Sequence, residues 1–204
     1  YKPFFGSETR LSANALVRDA GGFTLNTFAL TGGQLAIDAS ANTTTDGFLS
    51  SLVLDAQIAD RAGQKVALPG GGATTRVSGA RLQIDYGQGD SWEGALVIDG
   101  LETGELATES ISLALDGAAL NLNDPATRRV TFNADGTISG ITAKDPQVAD
   151  ALGDSMGLGL AGLWSAGDSL QLAEARLRGK AFDMALSALA SSAITIAWVT
   201  KSVP

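Results

Sequence analysis

Gly157-Leu158-Gly159-Leu160-Ala161-Gly162 carries the G-x-G-x-x-G spacing that cradles a dinucleotide pyrophosphate, and Asp183 lies about 20 residues on, where a ribose-binding acid belongs. That chemistry needs the motif to follow a strand and open a helix. Here it follows a short helical pattern and runs into Leu163-Trp164-Ser165, so a small-residue strand or loop is the better reading. Gly70-Gly71-Gly72 lacks the Gly-Lys-Ser/Thr ending of a phosphate loop and reads as a flexible hairpin loop. Asn121, Asn123 and Asp124 offer oxygens to calcium but miss the spacing of a calcium loop. The 22 acids could pair for acid–base work, yet most stand singly on outward strand positions or in turns, as Asp55 and Asp85 do.

The residues that are missing exclude more. With no His and no Cys, the chain has no imidazole base, no thiolate nucleophile, no disulfide and no His or Cys metal ligand. The expectation is a non-enzyme with no cofactor and no metal. A net charge of -8 argues against nucleic acid, where clustered Lys and Arg must neutralise phosphates. Of the 204 residues 45% are hydrophobic and 18% charged, which supports a folded core. The chain opens Tyr1-Lys2-Pro3 without a signal peptide and reads as a piece of something longer. Its longest uncharged run, Met184–Val199, falls short of the ~20 residues of a spanning helix and reads as strand.

The elements that must position any site follow period two. Leu52, Leu54, Ala56 and Ile58 alternate with Val53, Asp55 and Gln57. Ala80, Leu82, Ile84 and Tyr86 alternate with Arg81, Gln83 and Asp85, and Ile111, Leu113 and Leu115 with Ser112 and Ala114. Such alternation gives antiparallel strands with one apolar and one wet face. Further strands are expected at Leu11–Val17, Leu35–Ala41, Trp92–Ile98, Val130–Phe132, Ala173–Leu177, Phe182–Leu186 and Ile194–Trp198. Trp92 and Trp198 fall at apolar-face positions. Gly32-Gly33, Asp46-Gly47, Asp99-Gly100, Asp116-Gly117 and Asp135-Gly136 read as turns. Asp145 as N-cap, Pro146 at the first helical position and Gly153 as stop predict one short helix over 146–153. The fold class is all-β: one β-rich segment over 1–204, with 187–204 the least regular part.

Several stretches together resemble the TamB (translocation and assembly module) family of alphaproteobacterial type. They are Gly22–Leu25, Ala29–Ile37, Val66–Pro69, Ala80–Tyr86, Gly89–Gly94 and Gly140–Gly153. The resemblance runs from about Gly21 to about Leu186 and implies an internal fragment of an inner-membrane-anchored periplasmic protein. It further implies an antiparallel meander forming an open, U-shaped (β-taco-like) sheet with an apolar groove. Phospholipid acyl chains would be its cargo and a TamA-like outer-membrane barrel its partner. No catalytic residue is carried over. The groove expected from the alternation comprises Leu52, Leu54, Ile58, Leu82, Ile84, Trp92, Leu96, Ile98, Ile111, Leu113 and Leu115. The alternative is a structural β-solenoid or adhesin-like passenger that binds proteins and closes its apolar faces into a dry core.

Overall fold

Alternation of apolar and polar side chains builds one sheet. The computed structural model describes residues 2–68, 75–87, 89–189 and 193–200. In chain order the elements are α1 (Lys2–Phe5), β1 (Arg10–Val17), β2 (Phe23–Thr31), β3 (Leu35–Thr43), β4 (Leu49–Ala59), β5 (Val66–Ala67), β6 (Arg76–Val77), β7 (Gly79–Tyr86), β8 (Ser91–Asp99), β9 (Leu106–Ala107), β10 (Ser110–Leu120), β11 (Arg129–Ser139), β12 (Thr142–Ala143), α2 (Pro146–Leu152), β13 (Ser155–Ser165), β14 (Gln171–Arg178), β15 (Phe182–Leu189) and β16 (Ala193–Thr200). The long strands form one 12-stranded sheet in the order β1-β2-β3-β4-β7-β8-β10-β11-β13-β14-β15-β16. Every neighbouring pair follows in chain order and is antiparallel, so the sheet is a meander. Its first and last strands do not pair with each other, so it stays open. The short strands pair separately, β5 with β6 and β9 with β12.

The helix expected at 146–153 is α2, with Asp145 accepting from the Gln147 and Val148 amides and Pro146 in the first turn. The run Met184–Val199 is divided between β15 and β16. The expected loop at 69–72 and the side chain of Trp198 lie outside the described residues. Gly32-Gly33 and Asp46-Gly47 are turns, and Gly47 has a φ of 88°. Asp99-Gly100 ends β8 but opens a long excursion to β10 instead of a tight hairpin.

Two expected turns are not turns. Asp116-Gly117 lies inside β10, and Asp135-Gly136 lies inside β11, which therefore runs to Ser139 instead of stopping near Phe132. Both glycines stand on the apolar face, where a neighbour needs their space. A Cβ on Gly117 would come 2.4 Å from the Trp92 indole nitrogen, and one on Gly136 would run into the β10 backbone, 1.9 Å from the Ser112 carbonyl oxygen. With no side chain at Gly117, the Trp92 indole crosses β10 and donates to the Thr131 carbonyl on β11 at 3.2 Å. Phe132 uses Gly162 on β13 in the same way, with a Cβ there 2.2 Å from its ring. The Gly157–Gly162 spacing thus sits inside β13, not before a helix.

Large residues next to Gly or Ala along each row let the apolar face become concave. Phe48, the residue before β4, stacks on Trp164 of β13 with ring centroids 5.5 Å apart. These strands stand five places apart in the sheet. On a flat sheet that is ~24 Å, so the contact requires the sheet to curl over its apolar face.

Candidate functional site

Cross-strand partners share a face, so the register assigns every residue to one side. Leu54 pairs with Ile84, Ile84 with Gly94, and Gly94 with Leu115. The next row runs Ala56, Leu82, Leu96 and Leu113. The row beyond holds Ile58, Ala80, Ile98 and Ile111. Leu52 faces Tyr86, and Trp92 faces Gly117. All the residues expected to line a groove therefore lie on one face. The rows continue past them through Ala134 and Leu160, and through Leu158, Leu177 and Met184. The opposite face carries charge, as in the Asp55–Arg81 ion pair with Gln83 also donating to Asp55.

The clusters that cover this face are built at its two ends. At one end, the segments 60–68, 75–78 and 100–109 and helix α1 fold over it. There Val66 and Val77 are fully buried with Phe4, and Ile58 and Ile98 pack against them. At the other end, Tyr86, Ala119 and Leu122 are buried, with Leu52, Trp92, Phe48 and Val130 packed around them. Between the ends, Leu54, Leu82, Ile84, Leu96, Leu113 and Leu115 are half-buried, as are Leu52, Ile58, Trp92 and Ile98 beside the clusters. Val66 and Val77, the largest fully buried side chains among the described residues, belong to a cap and not to the sheet. The chain exposes 12604 Å², against about 8,900 Å² for a compact monomer of its size. Among the described residues the long strands form one sheet layer, which exposes more surface than a two-layered domain.

A polar buckle holds the end containing Phe48. The buried Arg128 lies over the Phe48 ring, 4.6 Å from its centroid. Its Nε donates to the Leu122 carbonyl at 2.6 Å, and its terminal nitrogen pairs with Asp46. The Arg128 guanidinium and the Thr44 hydroxyl hold the Asp46 carboxyl down to about 2 from its ordinary 3.8. Behind the buckle lies an apolar cavity of about 240 Å³ between Phe48, Leu52, Ile84, Trp92 and Val130.

Tyr86, Phe48 and Arg128 are site residues that strand periodicity could not single out. Tyr86 reads as one more apolar-face residue, while Phe48 and Arg128 lie outside the alternating runs. Among the described residues no group of His, Cys, Asp or Glu is arranged to hold a metal. The sheet and its face define an open amphipathic β-trough. No family model, no curated protein and no solved structure matches the chain.

Proposed function

We propose that the trough cradles phospholipid acyl chains as a non-catalytic segment of a TamB-like envelope protein. On this reading the parent links the inner and outer bacterial membranes across the periplasm, working with a TamA-like barrel. It serves phospholipid transport, outer-membrane protein assembly, or both. The observation that carries the reading is the continuous, half-buried apolar middle of the concave face, where Leu54, Leu82, Leu96 and Leu113 adjoin across strands. A soluble monomer rarely leaves more than about 300–600 Å² of contiguous apolar surface uncovered. Each acyl methylene buried there contributes about 0.8 kcal/mol, so a chain of ordinary length binds without any single essential residue.

The mechanism is passive. Acyl chains lie along the apolar rows, headgroups stay at the open rim, and the charged outer face keeps the segment in water. A photo-crosslinking residue at Leu54, with Asp55 on the opposite face as control, tests it in the full-length parent protein. Lipid adducts at Leu54 and none at Asp55 are expected. Equal labelling, or no labelling at Leu54 in folded protein, would refute the groove and favour the closed structural solenoid.

A further inference from the structure

Beside the apolar cavity lies a second one, of about 670 Å³. The two meet at Tyr86 and Ala119, which line both. Their chemistry is opposite. The smaller is walled by Phe48, Leu52, Trp92 and Val130. The larger is lined by Asp90 and Asp124, the amides of Asn121 and Asn123, and the Thr127 hydroxyl, with no Lys or Arg among its lining residues.

We infer that the two cavities together seat one phospholipid bearing a protonated primary amine, with a chain in the apolar cavity and the headgroup in the polar one. This rests on the acyl-chain reading above and adds a headgroup class and a place. At about 240 Å³ the smaller cavity falls below the ~300–1,000 Å³ of a pocket for a whole small ligand, which suits one hydrocarbon branch. The acidic lining of the larger one attracts an ammonium and repels a headgroup of net negative charge. Asp124 is held ionised: the Thr127 hydroxyl and the Ala126 amide donate to it and keep its carboxyl below the ordinary range. Asp90 is fixed at the junction by its backbone carbonyl, which accepts from the Ala119 amide at 2.6 Å.

Tyr86 supplies the link. It is 8% exposed, and among the described residues its hydroxyl makes no hydrogen bond within the chain. The ring is buried but the hydroxyl oxygen is open to the cavity, so a ligand oxygen can take the place of the water that serves it. Burial, and then the Asp90 charge, push the Tyr86 hydroxyl above its ordinary value, so it stays protonated and able to donate. It stands where apolar and polar cavities meet, the position of a lipid's phosphate between chain and headgroup. Arg128 does not compete for that phosphate, since it is committed to Asp46 and the Leu122 carbonyl. A primary ammonium carries N–H donors for the two carboxylates, whereas a quaternary choline head carries none.

The test uses the full chain and dihexanoyl phospholipids with ethanolamine, choline or glycerol heads, with binding read by titration calorimetry. The ethanolamine lipid is expected to bind about tenfold tighter than the other two, the worth of one charge-assisted hydrogen bond. Asp90→Asn and Asp124→Asn, both at exposed positions, should erase that preference, weakening ethanolamine-lipid binding more than choline-lipid binding. Tyr86→Phe should weaken all three alike. Binding without headgroup preference, preference for the glycerol head, or preference that survives both Asn variants overturns this inference and leaves the acyl-chain reading standing. No binding of any of the three overturns both. If Asp124→Asn disturbs the loop that Asp124 ties to Thr127, Asp90→Asn alone decides.

Discussion

Arg128 and Asp46, 82 residues apart in sequence, form an ion pair of 2.5 Å that ties the β10–β11 loop to the β3–β4 turn. This pair gives stability a defined pH dependence. The Asp46 carboxyl is depressed in the folded chain, to about 2 from 3.8. Its contribution is therefore complete above the ordinary value and is lost as pH falls through the folded one. In Asp46→Asn we expect the melting temperature to fall less steeply between pH 4 and pH 2 than in the parent chain. Parallel acid limbs would refute the assignment. Arg128→Met leaves the Leu122 carbonyl without its donor and should cost roughly 1–3 kcal/mol by urea denaturation.

The concave face depends on missing side chains. Gly162→Ala would put a Cβ 2.2 Å from the Phe132 ring and 2.6 Å from the Gln171 carbonyl. Gly157→Ala, on the other face of the same strand, would meet nothing nearer than 3.7 Å. We expect the first to destabilise by about 1–3 kcal/mol, as overpacking does. The second should be neutral or slightly stabilising, since Ala restricts the unfolded chain. Equal effects in chemical denaturation would mean that the Phe132 ring does not need the space at Gly162.

The sequence states most of this architecture because its dominant signal is local. Leu52 to Ile58 and Ala80 to Tyr86 need only period two to declare a face, and the register then joins those faces into rows. The helix at 146–153 was legible from Asp145, Pro146 and Gly153 alone. What was not legible depends on contacts distant in sequence. Gly117 and Gly136 look like turn glycines beside Asp116 and Asp135, and only the Trp92 ring and the β10 backbone at Ser112, distant in sequence, make them strand glycines. The buckle was hidden for the same reason: nothing near Arg128 announces Asp46 or Phe48. Tyr86 was legible as an apolar-face residue, but its position between two cavities depends on the loop 121–128.

The half-buried middle of the trough should tolerate a charge that a closed core would not. In Leu54→Arg the long side chain can carry its guanidinium toward the open rim while its stem covers the face. We expect the variant to keep its β-type circular dichroism and to melt within a few degrees of the parent. Phospholipid co-purifying with the full-length parent protein, counted by mass spectrometry, should fall severalfold. Val77→Arg, in the fully buried cap, should instead unfold the cap. Cooperative loss of the whole sheet in Leu54→Arg would show that the face is dry and closed.

The last expectation concerns β1, every residue of which is exposed. Leu11, Leu16 and Val17 are 64%, 60% and 79% exposed, and β1 pairs with β2 alone. Its outer edge thus offers unpaired backbone amides and carbonyls flanked by apolar side chains. Natural edge strands blunt such an edge with Lys, Pro or a bulge that faces outward. In β1 the bulge at Asn14 and Ala15 lies in the pairing with β2, on the inner side. The strand carries one charge, Arg10 at its start. The isolated chain should therefore self-associate edge to edge, each copy lending the other a strand. Sedimentation velocity over a concentration series should show a rising weight-average mass for the parent chain. Leu16→Lys with Val17→Lys should return it to monomer without lowering the melting temperature, because neither residue is buried. A parent chain that stays monomeric at the highest soluble concentration would show that this edge is already protected.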